Sequence, residues 1–386
     1  MEELLEQLRQ VEDPREPKGL RHLLEEILFI ALVAMVAGAD DAESMHVFGE
    51  ANLGWFEEIL TLPHGMPSQD TFLRIFAMLK PAAVHTLFQN WILGLREHTP
   101  GGHIAIDGKC LRRTFDRATG SKAIHTLSAW LSSKEWVLGQ VKVDEKENEI
   151  VAIPELLRLL DLRQVTVTID AIGCQRAIAE QIVDDKGDYI LTVKDSQPTL
   201  REEIEAHFSQ PAPAAPAPKG ARQAEPVPME KHQDVDAGHG RIETRTTTLS
   251  RNLRGLSRKA DWKGLTGIAM VERERIDKIS GKTSLERSYY IVSDPKATAE
   301  SVGRAIRSHW GIENSLHWVL DVTFREDQCR IRAGNAAENL SVMRHLVMNL
   351  MRTAPGKKRS MAKRRQLCGW NREFLLSVLL GREVES

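Results

Sequence analysis

The sequence predicts an α/β protein in which a helical N-terminal part precedes a core of a three-strand meander followed by alternating helices and strands. Three observations carry this. Residues 1 to about 95 place apolar side chains at helical spacing. From Gly102 onward, short β-branched runs bounded by polar turns take over. Acidic residues end two of those runs, at Asp107 and Asp170, and a third, Glu313, lies in a later helix-like stretch.

Leu20 to Ala37 reads as one strong helix. Its most apolar part, Ile27 to Gly38, is too short for a bilayer span of about 20 residues. Asp41 to Leu60 carries Met45, Val47, Phe48, Leu53, Phe56 and Leu60 at helical spacing. Pro67-Ser68-Gln69-Asp70-Thr71 is a helix start with Ser68 or Asp70 as the cap, and a further helix follows Pro81 to about Leu95. Such short helices suit a DNA-reading unit or, equally, a packing or dimerisation domain. His103 to Asp107, Ile124 to Leu131 and Trp136 to Val143 are expected strands. Asn148 to Leu160 is an expected helix, with Pro154 near its first turn or at a kink. Val165 to Asp170 is a fourth strand, Gln175 to Val183 a helix and Tyr189 to Val193 a fifth strand. A meander followed by parallel αβ units is the order of a ribonuclease H-like core. In that core the first carboxylate sits on strand one, the second at the end of strand four and the last on a later helix.

The 143 residues from Asp170 to Glu313 exceed one strand and one helix, so an insertion is expected. It comes after a helix, Pro198 to Phe208, and opens with a Pro/Ala linker, residues 209–218. Three strands follow, Arg241 to Leu249, Gly267 to Ile276 and Ser284 to Val292, before a long helix from Ala297 to Val322. The expected divisions are 1–98 helical, 99–208 first part of the core, 209–296 linker and β-rich insertion, 297–350 last part of the core, and 351–386 a basic tail.

A net charge of −2 gives no general attraction to nucleic acid, so local charge has to supply it. From Met351 to Ser386 nine Lys or Arg face three Glu, with Lys357-Lys358-Arg359 and Lys363-Arg364-Arg365 placed either to neutralise phosphates or to solvate a tail. The four cysteines form no CxxC pair, which signals neither a zinc ribbon nor a disulfide scaffold. A reducing, cytoplasmic setting and no membrane association are expected.

The chemistry rests on Asp107, Asp170 and Glu313. Carboxylates at two strand ends and on one helix can converge on hard divalent cations, for which oxygen ligands suit magnesium or manganese. Two such ions can clamp the attacking and leaving oxygens of a phosphodiester displacement. Each aspartate alone reads as a strand-end turn residue; their joint placement with Glu313 favours catalysis. His309, Glu313, His317 and Asp321 recur every four residues and would share one face of an α-helix. Zinc ligation by that face lacks the His-Glu-x-x-His pattern. Trp310 and Trp318 are expected in the core, with stacking on an unpaired base as the alternative. Lys109 and Arg112 beside the first acid, and Lys194 from the fifth strand, are placed either for phosphate contact or for surface solvation, and Arg241 and Arg245 in the insertion either grip a cleaved end or merely flank a strand.

Several segments together resemble the DDE-type insertion-sequence transposases, in particular the H-repeat-associated group. They are Asp13-Pro14-Arg15, Met66 to Phe72, Ala105-Ile-Asp-Gly-Lys109 with Arg112, Gly139-Gln140, Lys146 to Ile150, Thr168-Ile-Asp-Ala171 with Gln175, Asp188 to Gln197, His239 to Arg245, and His309 to Asp321 followed by Glu326, Asp327 and Arg330. The resemblance spans nearly the whole chain. It implies a ribonuclease H-like core with Asp107, Asp170 and Glu313 as a triad holding magnesium, for which manganese can substitute. It also implies DNA strand cleavage at element ends, strand transfer into target DNA, and a homodimer on DNA. A nuclease without integration, or a DNA-binding regulator with lapsed catalysis, is the alternative. The chain departs from the pattern in places. Relatives often carry Tyr and Arg before the last acid and Lys after it, where Ile306, His309 and Leu320 stand here. Those phosphate contacts therefore do not carry over, and Arg304, Arg307 and His309, with His317, are the local substitutes. Ser196 and Glu147 stand where the group usually shows Asn and often shows Ser.

Overall fold

Helical spacing becomes helices α1 (Glu2–Arg9), α2 (Leu24–Val36), α3 (Ala42–Ala51), α4 (Leu53–Glu57), α5 (Gln69–Met78) and α6 (Pro81–Leu95) in the computed structural model. It describes residues 1–18, 20–95, 102–115, 122–143, 148–209, 229–238 and 240–382. Most of the Pro/Ala linker, residues 144–147 and His239 lie outside these. The helix expected from Asp41 to Leu60 breaks at Asn52, whose side-chain amide donates to the Phe48 carbonyl at 2.8 Å. Ser68 is the cap of α5, accepting from the Thr71 N–H. Helix α2 is apolar on every side because every side is covered, Ile27 to Val36 being buried throughout. Its buried Glu26 accepts from Thr61 N and Oγ1 and from Leu62 N.

The chain then forms β1 (His103–Leu111), β2 (Ile124–Leu131), β3 (Trp136–Val143), α7 (Glu149–Arg158), β4 (Thr166–Ile169), α8 (Arg176–Asp184), β5 (Asp188–Val193) and α9 (Pro198–Ser209). Strand β1 runs four residues beyond its expected end at Asp107. Pro154 lies inside α7. The inserted region holds four strands rather than three: β6 (Glu230–Gly238), β7 (Arg241–Ser250), β8 (Gly267–Asp277) and β9 (Thr283–Val292). The expected long helix is α10 (Ala299–Gly311), a π-helical turn (Ile312–His317) and α11 (Trp318–Val322). The chain ends in α12 (Ala336–Thr353), α13 (Met361–Trp370) and α14 (Arg372–Leu380).

These elements make two compact units. The first comprises Met1–His98, Gly108–Asn148 and Glu313–Ser386; the second comprises Thr99–Asp107 and Glu149–Ile312. In the first, β2 and β3 pair antiparallel. Helix α12 packs on β3, α5 and α6. Its Asn349 brackets Val137, accepting from its N–H at 2.9 Å and donating to its carbonyl at 2.8 Å. Its Asn339 donates to the Phe76 and Leu79 carbonyls at the end of α5.

In the second unit the start of β1 pairs parallel with β4, and β4 parallel with β5. Strand β9 pairs antiparallel with β5, and β8, β7 and β6 follow in antiparallel order. The inserted strands therefore extend the sheet that carries the two aspartates. Helix α10 packs Ala299, Val302 and Ile306 against Ile190, Leu249, Ala269, Val271 and Val292 of that sheet. Thr298 caps α10 in a reciprocal capping box with Ser301.

Candidate active site

The register of β1 on β4 aligns the first two acids. Ile106 is the partner of Ile169 in the last matched pair, so Asp107, within β1, and Asp170, just past β4, each lie one residue beyond it where the parallel pairing stops. Equal offsets send both side chains to the same face, with backbones about 5 Å apart. Asp170 also ends β4 by accepting from the Ile172 N–H at 3.1 Å, starting the short turn Ala171–Gly173. Burial, followed by the like charge of Glu149, raises the Asp170 carboxyl above its ordinary value. Lys194, exposed just past β5, acts in the opposite direction on the same carboxyl.

On the same face and within the same unit, Thr168 sits between two imidazoles. Its Oγ1 lies 2.8 Å from His103 Nε2 and 2.9 Å from His309 Nδ1. Burial depresses both rings, His103 to about 3 and His309 to about 4. Both are therefore neutral near pH 7. The hydroxyl can donate to at most one of the rings, so at least one ring donates to its oxygen. His309 is thereby engaged inside the unit, and Ile306 is in its core.

Glu313 belongs to the other unit, exposed in the first turn of the π-helical segment. A π-turn holds more than four residues. A four-residue step falls a little short of one π-turn and a little beyond one α-turn, so the π-turn does not by itself take His309, Glu313, His317 and Asp321 off a shared side. Among the described residues, no three His, Cys, Asp or Glu side chains form a ready-made cation site.

Two models of known families match the chain. The "Transposase DDE domain" matches residues 98–350, and its associated N-terminal model, "DDE_Tnp_1-associated", matches residues 5–92. The chain belongs to the DDE transposase family. It falls in the H-repeat group. It is 36% identical over 383 residues to "Putative transposase YncI" of Escherichia coli O157:H7, covering 98% of this chain and 95% of that one. It is 35% identical over 384 residues to "H repeat-associated putative transposase YhhI" of Escherichia coli strain K12, covering 99% and 98%. A solved piggyBac transposase synaptic complex with hairpin DNA aligns with TM-score 0.45 at 13% identity, covering 97% of this chain and 77% of that one.

For this DDE transposase several expected phosphate contacts have other partners. Lys109 is 9% exposed, and its Nζ lies 2.6 Å from both Asp321 and Glu326. Burial raises Glu326, but Lys109 and Arg344 outweigh it and hold the carboxyl at about 2. Ser341 links this cluster to Gln140, donating to Glu326 at 3.0 Å and accepting from the Gln140 amide at 3.1 Å. Lys109 is thus an interior counter-ion rather than a surface cation. Arg112 stays exposed, 3.5 Å from Asp327. In the insertion, buried Glu243 pairs with Arg245 at 2.5 Å, Arg275 at 3.1 Å and Arg273 at 3.4 Å, and Arg241 lies 3.9 Å away. Arg307 pairs with Asp236 at 2.7 Å, and Arg304 with Glu300. His317 stands half-buried in the π-turn. Trp310 and Trp318 are 46% and 57% exposed, which overturns the core expectation for both. The Lys109–Glu326 pair, Thr168 and the Arg273 contact with the Trp310 ring at 5.6 Å went unread, because the partners are distant along the chain.

Proposed function

We propose that the chain is a DNA transposase that cuts DNA at the ends of a mobile element and joins the freed 3′-hydroxyl to target DNA. In this reading Asp107, Asp170 and Glu313 hold divalent cations, magnesium or manganese. The observation that carries it is the matched placement of Asp107 and Asp170, each one residue beyond the last pair of the parallel β1–β4 register. The donor set fits such ions. It is all oxygen, and the Asp170 carboxylate is partly buried beside another acid, a state that a cation would relieve. Glu313 as the third ligand rests on family membership and on its place in the chain. A ribonuclease H-like core rests on the parallel β1–β4–β5 order after the meander. Pairing of two copies on two DNA ends rests on family membership alone.

The chain's own residues set the conditions for the chemistry. The His103–Thr168–His309 chain is neutral near pH 7 and so adds no positive charge to the sheet face that carries the aspartates. Lys194 stands exposed at the next strand end, placed for a phosphate. Glu326 and Asp321 hold the Lys109 amine inside its own unit. Bound divalent cations supply charge neutralisation at the phosphoryl oxygens and a stronger nucleophile at neutral pH.

The test uses the full chain with DNA carrying the element's ends. Cutting in magnesium or manganese is expected, with loss to background for Asp107→Ala, Asp170→Ala and Glu313→Ala. Manganese titration by calorimetry gives a readout independent of activity and should weaken at least tenfold in each variant. Cutting that survives Asp170→Ala removes the assignment.

A further inference from the structure

Within the first unit, α11 leaves an indole uncovered. Trp318 is 57% and Val322 55% exposed. They are four residues apart on one helix face. Among the described residues no other ring and no cation stacks on Trp318. The ring opens onto a cavity of about 510 Å³ between α11, the β2–β3 turn and the start of α13. Its wall holds five basic side chains, Lys134, Arg352, Lys358, Arg359 and Arg364, against one acid, Glu135.

The basic residues differ in their commitments. Arg352 donates to the Glu135 and Ser315 carbonyls, and Arg364 donates to the Ala354 carbonyl at 2.7 Å. These two hold the wall together. Lys358 and Arg359 are exposed, and no hydrogen bond or ion pair ties them among the described residues. The Arg364 guanidinium is lowered by burial, with the charge of Arg359 adding to the effect. The cleft therefore joins a stacking surface to uncommitted positive charge.

We propose that this cleft binds an unpaired stretch of DNA, with one base stacked on Trp318 and its flanking phosphates met by Lys358 and Arg359. The proposal rests on the reading of the chain as a DNA-processing enzyme. Unpaired rather than duplex DNA is the occupant because a stacking ring needs a base face that a duplex keeps covered. Polyanion rather than protein is favoured by the excess of basic side chains on the wall.

The experiment measures binding of the full chain to a fluorescent oligothymidine of about 12 nucleotides, within the range of single-strand sites. A duplex carrying the element's end is measured in parallel. Trp318→Ala should weaken oligothymidine binding about 5- to 150-fold, the range of one base–aromatic stack. Trp318→Phe should retain most of the affinity. Trp370→Ala, which removes another exposed indole outside the cleft, should change nothing. The double variant Lys358→Ala, Arg359→Ala should flatten the salt dependence by about 1.4 in log–log slope, for two single-strand phosphate contacts. Equal oligothymidine binding by Trp318→Ala and Trp370→Ala overturns the proposal, as does an unchanged salt slope in the double variant. If the wild-type chain cuts duplex ends but ignores oligothymidine, the cleft assignment alone fails. If it binds neither DNA, the transposase reading fails with it.

Discussion

Asp170 is costly to the folded chain in the absence of a cation. Its raised carboxyl means that the ionised form is disfavoured, first by burial and then by Glu149. For an acid shifted upward, the penalty is present at neutral pH and relieved as pH falls through the folded value. Asp170→Asn keeps an acceptor for the Ile172 N–H and removes the charge. It should raise the melting temperature in metal-free buffer while abolishing cutting. Scanning calorimetry with chelator present checks this, and a lower melting point rejects it. Lys109 has the opposite logic. Lys109→Met leaves Glu326 buried with a lost partner and should cost about 3–5 kcal/mol. Glu326 is depressed to about 2 from an ordinary 4.5. Its contribution is therefore present above about 4.5 and lost as pH falls toward 2. Urea melts of wild type and variant should converge across that window. The sequence showed a lysine two residues after Asp107 and suggested a phosphate contact. Its partners lie 212 and 217 residues away, and only folding brings them together.

At the scale of elements, two mostly apolar runs separated by the polar turn Ser132 to Glu135 placed β2 and β3 to the residue, and both strands are buried over most of their length. Strand β6 escaped because Glu230–Gly238 is polar nearly throughout. An outer strand needs no apolar face to pair with β7. The π-turn within Ile312–His317 escaped because its residue types fit an ordinary α-helix, and Trp310 and Trp318 were expected in the core because large apolar rings usually are. Helix α10 reaches β7 closely enough that Gly303 has a steric reason. A Cβ there would lie 2.5 Å from Thr247 Oγ1. Gly303→Ala should destabilise by about 1–3 kcal/mol through overpacking. Adding Thr247→Ala should restore most of that, since the clash is with that one side chain. A double-mutant cycle in urea decides the point, and strict additivity would refute it.

For the molecule as a whole, the α/β order and the helical N-terminal part were legible, because helix and strand periods differ and the turns between them are polar. The alignment of Asp107 with Asp170 was legible only as two strand ends; their adjacency required the β1–β4 register. Global stability also carries the mark of the buried imidazoles. An unfolded chain protonates His103 and His309 near 6.5, whereas the folded chain resists to about 3 and about 4. Stability therefore falls as pH drops from 6.5 toward 4, because the unfolded state takes up protons that the folded state refuses. Thermal melts between pH 7 and 5 should decline, and His309→Gln should flatten the decline. An identical slope in the variant would exclude His309 as a source. No described helix is long and apolar enough to cross a membrane.

The polar character of β6 has a further effect. It is the last strand of its sheet, and Glu230, Lys231, Asp234 and Asp236 line its open border. Charges along a border discourage a second copy from zipping onto it. Trimming this strand would bare the threonine-rich flank of β7, Thr246-Thr247-Thr248-Leu249, and turn a sheet that stops into one that invites growth into aggregates.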